Sequence, residues 1–201
     1  DITICSGETA VVNILPAPQN VTGTTFSWTA APTGNVVGAA DGNGSTISQV
    51  LGTTDASIGT VVYTITPSAN GCAGPATVVT VTINPIATVN AGADFAVCEP
   101  VTIPISGIIG GSATTATWTV VSGAGTISAT TVGGVTASAT YTVAPGDIAG
   151  FVTFRLTTND PDAAGPCVVM SDEVEVAVNR QARLTLPADY TVCEPSTINL
   201  S

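Results

Sequence analysis

No histidine and no lysine occur anywhere in the 201-residue chain, and Arg155, Arg180 and Arg183 are its only basic side chains. These gaps remove the usual general bases, Schiff-base amines and Ser–His triads. Lysine–asparagine isopeptide crosslinks are excluded for the same reason. Zinc has no plausible ligand set, because histidine is missing and no two cysteines stand in C-x-x-C spacing. A net charge of −11 and a pI near 4.1 exclude nucleic acid as a partner, since phosphate binding needs a cationic stripe. No apolar run reaches the roughly 18 to 20 residues of a membrane span, so this segment does not insert into a bilayer. Aromatic residues make up only 4% of the chain and charged residues 8%.

What is present is mostly valine, isoleucine, alanine and threonine, with hydrophobic residues at 44%. β-Branched side chains suit a pleated, half-buried surface and form helices poorly. No window holds a 3.6-residue apolar period, so the chain is expected to be all-β with essentially no helix. Thr25-Phe26-Ser27-Trp28-Thr29 alternates apolar and polar, as a strand with one face in a core does. Phe151–Thr158 places Phe154 and Leu156 on one face and Arg155 on the other. Val174, Val176 and Val178 alternate with Glu173, Glu175 and Ala177 in the same way. Asp41-Gly42-Asn43-Gly44 and Asn70-Gly71 are turn signals between such runs.

A short phrase recurs as Ile4-Cys5-Ser6-Gly7, Val97-Cys98-Glu99-Pro100 and Val192-Cys193-Glu194-Pro195. Cys5 and Cys98 stand 93 residues apart, and Cys98 and Cys193 stand 95 apart, about the length of one β-sandwich. The division expected from this period is a first repeat over 1–84 and a second over 85–179. Residues 180–201 then read as a linker and the first strand of a third repeat. The linkers over 82–98 and 177–193 align from end to end and are not Gly/Ser-rich, so a stiff passage between neighbouring domains is expected.

Each complete repeat has an early and a late cysteine, 67 residues apart in the first (Cys5, Cys72) and 69 in the second (Cys98, Cys167). The matched separations predict disulfides Cys5–Cys72 and Cys98–Cys167, with the partner of Cys193 lying outside the chain. Persistent disulfides imply an oxidising, extracellular compartment. The expected fold is thus a tandem of immunoglobulin-like β-sandwiches, each with one intradomain disulfide. The cysteine placement departs from antibody domains, where the first cysteine lies in the second strand; Cys5 and Cys98 are expected ahead of the first strand of their repeats. Trp28 and Trp118, at equivalent places, are expected in the two cores rather than as sugar-stacking platforms.

The phrases Val97-Cys98-Glu99-Pro100, Gly110-Gly111-Ser112-Ala113, Ala116-Thr117-Trp118, Leu156-Thr157-Thr158-Asn159-Asp160-Pro161 and Gly165-Pro166-Cys167 resemble repeats of very large Bacteroidota surface proteins, gliding-motility adhesins among them. Cys5-Ser6-Gly7, Phe26-Ser27-Trp28, Tyr63-Thr64-Ile65-Thr66-Pro67 and Gly71-Cys72 resemble the PKD-like modules that accompany them. The resemblance implies export by the type nine secretion system and a place at the cell surface, and it brings no catalytic residues.

The expected function is a rigid stalk or spacer of a long extracellular adhesin or filament, whose partners are neighbouring repeats of the same polypeptide. A self-assembling fibre subunit, bound to other copies of the filament, and an accessory module for surface polysaccharide stand as alternatives. No enzyme is expected; Asp160 and Asp162 form a carboxylate pair, but Asn159-Asp160-Pro161-Asp162 is a turn-like run. No cofactor is required by the sequence. Calcium is the one cation considered, with Asn159, Asp160 and Asp162 in one loop and Asp94 or Asp189 at the linkers as candidate ligands, against solvated turn carboxylates.

Overall fold

The computed structural model describes residues 1–16 and 21–184. Within them the chain is built of strands, with one 3₁₀ turn at Pro145–Asp147 and no α-helix. Ten strands precede Pro85: β1 (Ile2–Cys5), β2 (Thr9–Asn13), β3 (Thr25–Pro32), β4 (Val36–Val37), β5 (Gly42–Asn43), β6 (Thr46–Val50), β7 (Gly52–Thr53), β8 (Gly59–Ala69), β9 (Cys72–Ala73) and β10 (Thr77–Asn84). Nine follow: β11 (Ala87–Asn90), β12 (Phe95–Cys98), β13 (Thr102–Gly111), β14 (Ala116–Ser122), β15 (Thr126–Ile127), β16 (Thr131–Gly133), β17 (Thr136–Thr142), β18 (Gly150–Thr158) and β19 (Ser171–Asn179).

The two sets form two sandwiches on one plan, each with a core of its own. In the first, one sheet runs β1-β10-β8-β3-β5, with β9 hooked onto β8, and faces the short pairs β2-β6 and β4-β7. In the second, β12-β19-β18-β14 faces β11-β13-β17-β15, with β16 also on β17. The strands form where period-two patterning lets one face leave water. In β8, Val61, Tyr63 and Ile65 turn inward, and in β18 Val152, Phe154 and Leu156 do, all at most 6% exposed. Arg155 points out and pairs with Glu173 at 2.8 Å.

Both tryptophans lie in the cores. Trp28 donates its indole N–H to Ala40 O at 3.2 Å, and Trp118 donates to Ala137 O at 3.0 Å. Burying the ring while pairing its one polar atom satisfies both demands of the side chain. Each ring is closely approached by a glycine. A Cβ on Gly42 would strike Trp28, and one on Gly107 would strike Leu156 and crowd Trp118.

In each sandwich the leading strand, which is the one carrying the early cysteine (β1 or β12), runs parallel to the last strand, placing Cys5 opposite Asn84 and Cys98 opposite Asn179. The sequence-based expectation put both cysteines ahead of the first strand. They lie inside strands whose partners are some 80 residues away, and a four-residue apolar run does not announce such a partner.

Candidate functional site: the disulfide-locked joint

β10 passes into β11 through only Pro85 and Ile86, so the second sandwich begins where the first ends. Ser112 fixes the turn, donating its hydroxyl to Pro85 O at 2.8 Å and its amide to Ile86 O at 3.0 Å. Gly111 sits beside it at φ +60°, where a Cβ would collide with the Ile86 carbonyl. Only glycine meets both the left-handed backbone and the close approach there.

Across this turn Cys5 is bonded to Cys167, with their Cα atoms 5.5 Å apart. The expected pairs Cys5–Cys72 and Cys98–Cys167 are therefore corrected, and the bridge links two domains instead of closing one. Sheet register gives the reason. Cys5 lies at the end of its sheet marked by Asn84 and Gly59, whereas Cys72 follows Ala69 at the opposite end. Between those ends β10 runs from Thr77, opposite Ile65, to Ile83, opposite Gly59. That is about 20 Å at strand rise, and a disulfide spans Cα atoms about 4.4 to 6.8 Å apart. The second sandwich repeats the arrangement, with Cys98 beside Asn179 and Gly150 and Cys167 beyond the Thr157–Ser171 pair. Cys72 and Cys98 are exposed thiols. Cys193 falls outside the described residues. Equal spacing within each repeat was a true periodic signal, but it marked equivalent positions rather than bonded partners.

The bridge is embedded in a small polar cluster. Asp162 Oδ2 accepts from Asn84 Nδ2 at 2.8 Å and from Cys167 N at 3.1 Å, which joins the last strand of one sandwich to the late loop of the other. The Cys167 sulfur also lies 3.8 Å from Asn84 O. The hydrogen bond from Asn84 is the main reason the Asp162 carboxyl is held below the usual carboxylate range; partial burial opposes it and the Cys167 amide reinforces it. The other oxygen, Oδ1, is buried without a hydrogen-bond partner among the described residues. Cys5, Cys167 and Asp162 bring their heteroatoms within 4.8 Å of one another, but both sulfurs are spent in the disulfide and offer no thiolate to a metal. Beside the joint an open cleft of about 590 Å³ is lined by Ile58, Asn84, Pro85, Ser112, Thr114 and Asp162, among others.

The remaining cation candidates are engaged in local structure. Asn159 Oδ1 accepts from the amides of Thr114 and Thr115, both at 2.9 Å. Asp160 Oδ1 accepts from the amides of Asp162 and Ala163, at 3.1 and 2.9 Å. Asp94 Oδ1 accepts from Glu175 N at 2.8 Å, far from that loop in the fold. Asp189 lies outside the described residues. The sequence pointed to the Asn159–Asp162 turn but not to Asn84, the residue that ties it to the neighbouring domain. The signal was available, since Asn84 and Asn179 stand at the same place in the two aligned linkers.

Residues 2–87, which span the first sandwich, match the model of the PKD-like domain family. No curated protein matches the chain in sequence. Among solved structures, the I9–I11 tandem from titin is 8% identical with a TM-score of 0.35, covering 89% of this chain and 63% of that one. Domains 1–6 of the surface layer protein SbsC are 16% identical with a TM-score of 0.35, covering 83% of this chain and 21% of that one. Mouse cadherin-23 EC22–24 is 15% identical with a TM-score of 0.37, covering 90% of this chain and 62% of that one. The chain therefore spans less than two thirds of each of these three structures. PKD-like and immunoglobulin-like families are typically non-catalytic structural modules. Among the described residues, no helix is long and apolar enough to cross a membrane.

Proposed function

We propose that the chain is a spacer segment of a long extracellular surface adhesin or filament, in which β-sandwiches are held end to end so that they keep distance rather than bind. The observation that carries this reading is the Cys5–Cys167 bond across a two-residue linker. A bond placed between domains restrains the angle of the joint, which a bond within a domain does not. The short, hydrogen-bonded turn at Pro85-Ile86 acts in the same direction. Disulfides persist outside the reducing cytoplasm, which supports an extracellular place. The resemblance to Bacteroidota surface repeats supports an adhesin exported by the type nine secretion system. The polysaccharide reading is weaker, because Trp28 and Trp118 are both buried and unavailable for stacking.

Small-angle scattering of the oxidised chain tests the proposal. An elongated particle, with a maximum dimension about twice that of one sandwich, is expected; reductant should broaden the distribution of distances without unfolding either domain. A compact particle with the sandwiches side by side would contradict it.

A further inference from the structure

Among the described residues the joint between the two sandwiches leaves each of them with one cysteine unused, and those two sit at opposite ends of the pair. Cys98 occupies in the second sandwich the position that Cys5 occupies in the first. Cys5 is opposite Asn84 in a parallel pair, and Ser6 N donates to Asn84 O at 2.8 Å; Cys98 is opposite Asn179, and Glu99 N donates to Asn179 O at 2.8 Å. Cys72 lies between β8 and β10, as Cys167 lies between β18 and β19, at the far end of its sheet. The paired cysteines are 6% and 3% exposed, whereas Cys72 and Cys98 are open to solvent. A neighbouring domain is what buries the first pair.

We propose that Cys72 and Cys98 each supply one half of a crosslink of the Cys5–Cys167 kind, completed in each case by an adjacent domain of this type. The leading-strand cysteine of every domain bonds to the late cysteine of the domain that follows. Cys98 then takes the late cysteine of a domain beyond Asn179, and Cys72 takes the leading-strand cysteine of a domain before Ile2. This inference rests on reading the chain as one stretch of a repeat array. In each bond two thiols give up two protons and two electrons, and one sulfur–sulfur bond forms. A disulfide oxidant such as oxidised glutathione accepts them and is reduced to two thiols. The result is a covalent seam that runs along the array and skips no joint.

The test uses the full chain with one additional copy of residues 85–179 inserted after Asn179, the copy carrying Val101→Ile and Val168→Ile at exposed positions so that its cysteine peptides differ in mass from the originals. The protein is refolded in a glutathione redox buffer and mapped by non-reducing peptide digestion. Expected is a Cys98 peptide linked to the inserted copy's equivalent of Cys167, alongside Cys5 linked to Cys167. In a Cys98→Ser version the inserted late cysteine should become available to maleimide while Cys5–Cys167 still closes, which shows that the domains remain folded. A Cys98 that stays a thiol beside a closed Cys5–Cys167 bond would overturn the inference, as would Cys98 linked to any cysteine other than the inserted late one. Either failure leaves the spacer proposal to the scattering measurement, which does not depend on Cys98.

Discussion

The two sandwiches share one plan, yet their second layers differ. In the first sandwich that layer is two separate short pairs, β2-β6 and β4-β7; in the second it is a continuous sheet through the ten-residue β13. The buried apolar cluster is correspondingly larger in the second sandwich, with fifteen residues against eleven among those described. The loops ahead of β8 and of β18 differ too. Asp55 there is exposed and accepts from Ser57 N and Asn35 Nδ2. Its counterpart Asp147 is 3% exposed and accepts from Ala124 N, Ala144 N and the Tyr141 hydroxyl at 2.6 to 2.8 Å. Tyr63 in the first sandwich instead donates to Gln49, a neutral partner, at 2.6 Å. The comparison teaches that one periodic framework tolerates two ways of closing a sandwich. One relies on neutral contacts, and the other is centred on a buried anion.

The largest expected effects come from the cores. Trp118→Ala and Trp28→Ala should each cost about 3–5 kcal/mol, with the second sandwich retaining more residual stability. Chemical denaturation followed by circular dichroism, to which both sandwiches contribute, checks this; equal residual stabilities would remove the distinction between the layers.

Next comes Asp147. Removing this carboxylate leaves buried donors unpaired, so Asp147→Ala should destabilise the second sandwich by about 3 kcal/mol. Burial alone would raise the Asp147 pKa, but the hydrogen bonds from Ala124, Ala144, Tyr141 and Gly125 together hold it below the usual value. The folded state therefore binds this proton more weakly than the unfolded chain. Its contribution is complete above about pH 4 and is lost as pH falls through the lower folded-state value. Acid melts of Trp28→Phe and Trp118→Phe variants should show the second sandwich losing stability more steeply than the first. Parallel acid profiles would break the comparison.

A smaller effect is expected at the joint. Asn84→Ala deletes the donor to Asp162 and should lower Tm by no more than a few degrees, while widening the scattering distance distribution of the reduced chain. An unchanged distribution would show that the amide has no part in holding the angle. Smallest of all is calcium. Asn159 Oδ1, Asp160 Oδ1 and Asp94 Oδ1 already accept backbone amides, so millimolar calcium followed by chelator should leave Tm unchanged. A reversible rise would assign a cation to this loop.

Alternation in β3, β18 and β19 was legible because one buried face imposes period two on the sequence. The equivalence of Trp28 and Trp118 was legible because they stand at similar distances, 23 and 20 residues, after the leading cysteine of their repeats. The bond between Cys5 and Cys167 was not. Spacing along the chain reports which cysteines are equivalent, and partners are decided by which ends of the sheets meet in space. The parallel pairing of β1 with β10 was hidden for a related reason: Ile2–Cys5 is too short to show a periodicity, and its partner is remote in sequence. Asp147 gave no signal of its own, since a buried carboxylate and a turn carboxylate look alike until their donors are placed.

Non-reducing peptide mapping of the oxidised full chain bears most directly on the covalent joint. The account predicts a Cys5 peptide linked to a Cys167 peptide, a bond spanning 162 residues and both sandwiches. Recovery of Cys5 joined to Cys72, or of Cys98 joined to Cys167, would contradict it.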